Sequence, residues 1–115
     1  PLVAADWLHD NLLITAMGSD QTGKQEIAPD ALVAADLYVC DRLSQCEVSG
    51  ELEGARAAGL DTKIKQITEL GTVIVTGRPA GGCVICDLTG TGAQDTAIAT
   101  HVFSRLGNAG ASVTT

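Results

Sequence analysis

The strongest constraint on this chain is the form of its apolar segments, which are short and continuous rather than alternating with polar residues. Leu12-Leu13-Ile14-Thr15-Ala16-Met17, Leu37-Tyr38-Val39-Cys40 and Cys83-Val84-Ile85-Cys86 all have strand length and lack a polar face. Such strands are covered on both sides, which points to a parallel sheet between helices. The first run predicts an inner strand ending at Gly18. Between the runs the pattern turns helical. Pro29-Asp30 opens a short helix reaching Ala35, with proline in the first turn and an acid near its positive end. Ser44-Gln45-Cys46-Glu47 has the spacing of a capping box and starts a helix that falls into two pieces around Gly50 and Gly54. Asp61 or Thr62 caps another, with Ile64, Ile67 and Leu70 on one face. Thr72-Val73-Ile74-Val75-Thr76 fits a strand by its β-branching and a helix by its position, and both readings stay open. Gly77 to Gly82 reads as a loop, and the spacing of Ala93, Ala97, Ile98, Val102, Phe103 and Leu106 predicts an amphipathic terminal helix over 93–107. Strands alternating with helices give an α/β fold.

Size and charge narrow the class further. A chain of 115 residues is one domain or part of one, and 45% hydrophobic against 18% charged residues excludes a disordered chain. No apolar run approaches the ~18 residues of a membrane span, and no basic-then-apolar leader is present, so neither a membrane partner nor export is expected. Acids exceed bases by 14 to 7, and a net charge of −7 repels phosphate backbones, so nucleic acid is not an expected partner. With one Trp, one Tyr and one Phe, the core must be aliphatic and packed with Ala and Gly. The sequence opens at Pro1 and runs directly into apolar residues, which leads us to expect a single partial domain, 1–115, of a longer protein.

Three short motifs invite chemistry. Gly18-Ser19-Asp20-Gln21-Thr22-Gly23-Lys24 follows a strand and fits the G-x-x-x-x-G-K phosphate loop, and Asp41 after the second strand would suit Mg²⁺. Gln25 stands where that loop needs Ser or Thr, Asp20 opposes phosphate, and Pro29 interrupts the helix that should follow. Gly90-Thr91-Gly92-Ala93-Gln94-Asp95 resembles the dinucleotide turn G-x-G-x-x-G with Asp at the third glycine; it reads equally as a ligand turn at a strand end or as a tight connection. Cys83-x-x-Cys86 could belong to a zinc site with Cys40 and Cys46, but strand alternation sends Cys83 and Cys86 to opposite faces, and buried reduced thiols are expected instead. Reduced thiols fit the cytoplasm. His9 and His101 are isolated and are not candidate bases. Asp20 sits past a strand end in a glycine-bracketed loop, where a carboxylate can do acid–base work or simply cap the loop.

The stretch from Ile14 to Ile27, ITAMGSDQTGKQEI, resembles a signature of the ornithine cyclodeaminase/mu-crystallin family, and Cys86 to Ala99, CDLTGTGAQDTAIA, resembles that family's later strand, turn and helix. Asp41-Arg42-Leu43-Ser44-Gln45-Cys46 and Glu69-Leu70-Gly71 fall between them in the family's order. The wording of the second stretch is most similar to the ectoine-utilisation and cyclodeaminase-like branch, which includes imine reductases such as iminosuccinate reductase. The resemblance implies the C-terminal part of a Rossmann-like domain in a dimeric, cytoplasmic enzyme that uses NAD or NADP on a small amino-acid or imino-acid substrate. It implies Asp20 as proton donor and acceptor, Lys24 and the strand end Thr15, Ala16, Met17 and Gly18 beside the cofactor, and Thr89 facing the substrate. The family's pyrophosphate fingerprint and substrate-carboxylate cations would precede Pro1, so the isolated chain is expected to catalyse nothing. A non-catalytic binding protein like mu-crystallin is the alternative within the family, and a phosphate-loop nucleotide binder is the alternative outside it.

Overall fold

The computed structural model describes residues 1–77, 81–90 and 92–106. Four strands, β1 (Leu12–Ala16), β2 (Leu37–Cys40), β3 (Ile67–Glu69) and β4 (Cys83–Asp87), form one parallel sheet in the order β1-β4-β2-β3. The last strand in sequence therefore lies between the first two. Among the described residues five α-helices accompany it: α1 (Pro29–Ala34), α2 (Leu43–Ser49), α3 (Glu51–Ala57), α4 (Leu70–Thr76) and α5 (Gly92–Leu106). The fold is α/β, as the continuous apolar runs require, and Rossmann-like, as the family resemblance implies.

Alternation along each strand divides the side chains between two faces. Ala16, Tyr38, Cys40 and Ile85 turn toward Ala31 and Leu32 of α1, Cys46 of α2 and Leu52 and Ala55 of α3, forming the main core. Leu37, Val39 and Val84 turn the other way, toward Leu70 and Val73 of α4. Small residues at Ala31 and Ala55 let the helices sit close to the sheet, and Tyr38 is the one aromatic in this core. On α5, by contrast, Ile98, Val102, Phe103 and Leu106 are exposed.

Several local expectations change. β1 is an edge strand of the described sheet rather than an inner one; Leu13 is 52% exposed. The strands with cover on both faces are β2 and β4, which explains why their runs are the most uniformly apolar. The helix expected from Asp61 or Thr62 is absent: Asp61–Lys63 is one 3₁₀ turn, and Ile67–Glu69 forms β3 against Tyr38–Cys40. Three residues of strand carry too little periodicity to read, and satisfying the open edge of β2 outweighs the helical spacing of Ile64, Ile67 and Leu70. The undecided segment Thr72–Thr76 is helical, closed by Gly77 at φ +80 with its N–H on the Val73 carbonyl at 2.8 Å. No capping box forms at Ser44, because α2 begins at Leu43 and Ser44 already lies inside its first turn. The break at Gly50 is where expected. Arg78, Pro79, Ala80, Thr91 and the tail from Gly107 lie outside the described residues, and with them parts of the expected loop, dinucleotide-like turn and helix stop. No helix among the described residues is long and apolar enough to cross a membrane.

Candidate active site at the carboxyl ends of the strands

Parallel strands put all their carboxyl ends on one rim, the usual ligand edge of an open α/β sheet. Here the rim is stitched together by the backbone: the Leu88 N–H donates to the Ala16 carbonyl at 2.8 Å and the Asp41 N–H to the Asp87 carbonyl at 3.1 Å. The segment after β1, carrying Asp20, and the turn after β4, carrying Thr89, thus leave from neighbouring positions.

Asp20 is half exposed, and its Oδ1 is 2.9 Å from Lys24 Nζ. The ammonium donates to the carboxylate and neutralises it, holding the Asp20 carboxyl below the usual range. Gly23 at φ +87 and the Lys24 N–H to the Gln21 carbonyl, 3.1 Å, turn the chain so that residues four apart meet. In this arrangement Asp20 is ionised, the state in which a carboxylate can accept a proton. It becomes an acid only when Lys24 withdraws.

The other candidates divide into presented and committed groups. Thr15 is exposed and Met17 is 67% exposed, so both side chains are available at the strand end. Ala16 is buried in the main core, and its carbonyl is occupied by Leu88. The Gly18 N–H donates to Glu26 Oε1 at 2.5 Å. Thr89 is nearly buried, its hydroxyl donating to Asp41 Oδ1 at 3.0 Å. Asp41, which would hold Mg²⁺ in a phosphate-loop enzyme, instead ties down the β4 turn: it also accepts from the Gly90 N–H at 2.8 Å and the Arg42 N–H at 2.9 Å. No helix opens at Lys24; α1 begins at Pro29, so the geometry of a phosphate loop is not formed. The four cysteines are free, and no cluster suited to a metal occurs among the described residues.

Two functional-site neighbours escape sequence reading, Glu51 and Asp87. Both are fully buried. Asp87 Oδ2 accepts from Tyr38 Oη at 2.5 Å and from the Glu51 N–H at 2.7 Å, while its Oδ1 has no partner among the described residues. Loss of water around this carboxyl raises its pKa, more than the Tyr38 and Glu51 donors lower it. A carboxyl raised on folding holds its proton more tightly in the native state than in the unfolded chain, so its stabilisation is complete below about pH 3.9 and is lost as pH rises through the native value. Asp20 and Asp36, both lowered, act in the opposite sense and below that value. The wild type minus Asp87→Asn difference in denaturation free energy is therefore expected to fall as pH rises above about 4. The Asn carbonyl can keep both hydrogen bonds, so a pH-independent difference would show that Asp87 does not titrate in this window.

A profile of the ornithine cyclodeaminase/mu-crystallin family matches residues 1–110. The chain is 48% identical to an uncharacterized cyclodeaminase of Sinorhizobium fredii, over 91% of this chain and 33% of that protein. It is 40% identical to the iminosuccinate reductase of Paracoccus denitrificans, over 89% of this chain and 32% of that one. The crystal structure of that reductase in complex with NAD⁺ superposes with a TM-score of 0.75 at 35% identity, covering 92% of this chain and 33% of the reductase. The chain spans about a third of the length of these relatives. With matching sequence, matching fold and the Asp20 segment at the strand ends, this chain is a member of the ornithine cyclodeaminase/mu-crystallin family.

Proposed function

We propose that these residues form the acid–base portion of an NAD(P)-dependent cyclodeaminase or imine reductase acting at the Cα of a small amino or imino acid. The observation that carries this reading is the exposed Asp20 carboxylate, paired with Lys24 in the segment that follows β1, which leaves the sheet beside the strand end of β4. When bound, NAD(P) supplies or accepts the hydride. Asp20 handles the proton: it takes one from the substrate nitrogen as the C=N bond forms and returns it in the reductive direction. Thr15 and Met17, both open to solvent, suit the cofactor side of the strand end, and Lys24 suits an anionic cofactor because, among the described residues, its Nζ donates only to Asp20, an exposed partner. Thr89 acts through the turn, whose backbone borders the substrate, while Asp41 holds its hydroxyl. The protein of full family length would work as a cytoplasmic homodimer, consistent with four free thiols.

The test is to assay such a protein for oxidation of NADH or NADPH with imino acids generated from keto acids and ammonia, and for the reverse reaction with amino acids. Cofactor-dependent turnover is expected. Tight cofactor binding with no turnover of any amino or imino acid would instead support a binding protein of the mu-crystallin kind.

A further inference from the structure

Glu51 is the first residue of α3 and is fully buried, although an acid in a first helical turn ordinarily faces water. Among the described residues its carboxyl group accepts three hydrogen bonds, all from the segment that carries Asp20. Oε1 accepts from the Ser19 hydroxyl and from the Glu26 N–H at 2.8 Å, and Oε2 accepts from the Ile27 N–H at 3.0 Å. Ser19 precedes Asp20 directly; Glu26 and Ile27 lie beyond Lys24. One side chain thus grips both limbs of the loop. Its own backbone is fixed in turn, since the Glu51 N–H donates to Asp87 Oδ2, which also accepts from Tyr38. A continuous line of hydrogen bonds runs from the two central strands to the residue next to Asp20.

We propose that Glu51 is the positioning residue for Asp20, holding its carboxylate against the substrate nitrogen without touching substrate itself; this rests on the acid–base reading of Asp20. The chemistry of the site calls for a carboxyl group. All three partners donate, so the group must offer acceptors alone. In Glu51→Gln an NH₂ replaces one oxygen, and whichever oxygen is lost, the new donor faces the Glu26 or the Ile27 N–H. The Ser19 hydroxyl can turn to accept, but a backbone N–H cannot. One limb of the loop is released while the volume of the side chain stays the same.

The experiment uses a protein of full family length and compares Glu51→Gln and Ser19→Ala with the wild type. It measures kcat, the cofactor KM, melting temperature, the NMR titration of the Asp20 carboxyl, and amide exchange at Glu26 and Ile27. Misplacing the carboxylate is expected to lower kcat about 10²-fold in Glu51→Gln, and the loss of one hydrogen bond roughly five- to tenfold in Ser19→Ala. The cofactor KM should rise less than kcat falls, because Lys24 is one cofactor contact among several; the Asp20 titration should move, and exchange should quicken at Glu26 and Ile27 in Glu51→Gln. A purely structural role would lower melting temperature without this separation of kcat from KM or any change at Asp20. Should Glu51→Gln fail to fold, Ser19→Ala decides: wild-type kcat with an unmoved Asp20 titration overturns the proposal. If even the wild type turns nothing over, a shifted Asp20 titration in the variants upholds the clamp and it is the acid–base reading that fails; an unmoved titration and unmoved exchange overturn the clamp itself.

Discussion

Replacing Asp20 with Asn in a protein of full family length is expected to reduce turnover by ~10²–10⁴-fold, the usual contribution of a general acid–base group. The substitution keeps size and one acceptor oxygen but removes the charge and the ability to exchange a proton. Asp20 is half exposed, and its ion pair with Lys24 spans one turn of an open loop, so the fold should be unaffected. Cofactor affinity should persist or rise, because Lys24 is released. Under the proposed mechanism, Lys24 keeps the Asp20 carboxyl below its ordinary range, so it would be ionised and able to accept a proton across the neutral range, and the acidic limb of the pH profile should lie below 3.8. In the reductive direction the protonated form is needed, and Lys24 must first move off. Unaltered turnover in Asp20→Asn would remove this residue from the mechanism.

The second large effect concerns stability. Gly50 joins α2 to α3 with φ −111, a conformation open to any residue, so its identity is set by space rather than by backbone freedom. A Cβ there would lie 2.6 Å from Asp87 Oδ2 and 2.9 Å from Cys46 Cα. Neither neighbour can yield: one is backbone, and the other is a buried oxygen already holding Tyr38 and the Glu51 N–H. Gly50→Ala is therefore expected to cost about 1–3 kcal/mol by overpacking, and to loosen the Asp20 segment by disturbing Glu51. Gly71→Ala provides the contrast. Among the described residues nothing lies within 4 Å of a Cβ at Gly71, inside α4, so alanine there should stabilise by roughly 0.5–1 kcal/mol. Urea denaturation of the three proteins checks both; equal stability of Gly50→Ala and wild type would show that α2 and α3 separate easily.

The parallel sheet was legible because β2 and β4 are covered on both faces and record this as unbroken apolar runs. β3 was not, since a three-residue strand is defined by its ladder with Tyr38–Cys40 and not by its own pattern. Asp20 could be singled out from its glycine-bracketed position and from family resemblance. Glu51 could not: in the run Gly50-Glu51-Leu52-Glu53-Gly54 it looks like one of two solvated acids, and only the return of the Asp20 loop over α3 buries it. Asp87 ends an apolar strand and reads as the first polar residue of a turn, while its burial depends on Tyr38 and α3 meeting beneath it. Thr89 illustrates a further limit, because its commitment to Asp41 joins residues 48 apart in sequence. Long-range polar partners leave no periodic trace.

The Asp20–Lys24 pair lies in water, whereas the Glu51 and Asp87 contacts do not. Dissolved ions reach the first and not the second, with a screening length near 10 Å at 0.1 M and about 3 Å at 1 M. Ionic strength therefore acts on the Asp20 carboxylate separately from the scaffold that holds it: added salt relaxes the grip of Lys24 and lets the Asp20 carboxyl drift back toward the ordinary range, while the geometry of the loop stays fixed.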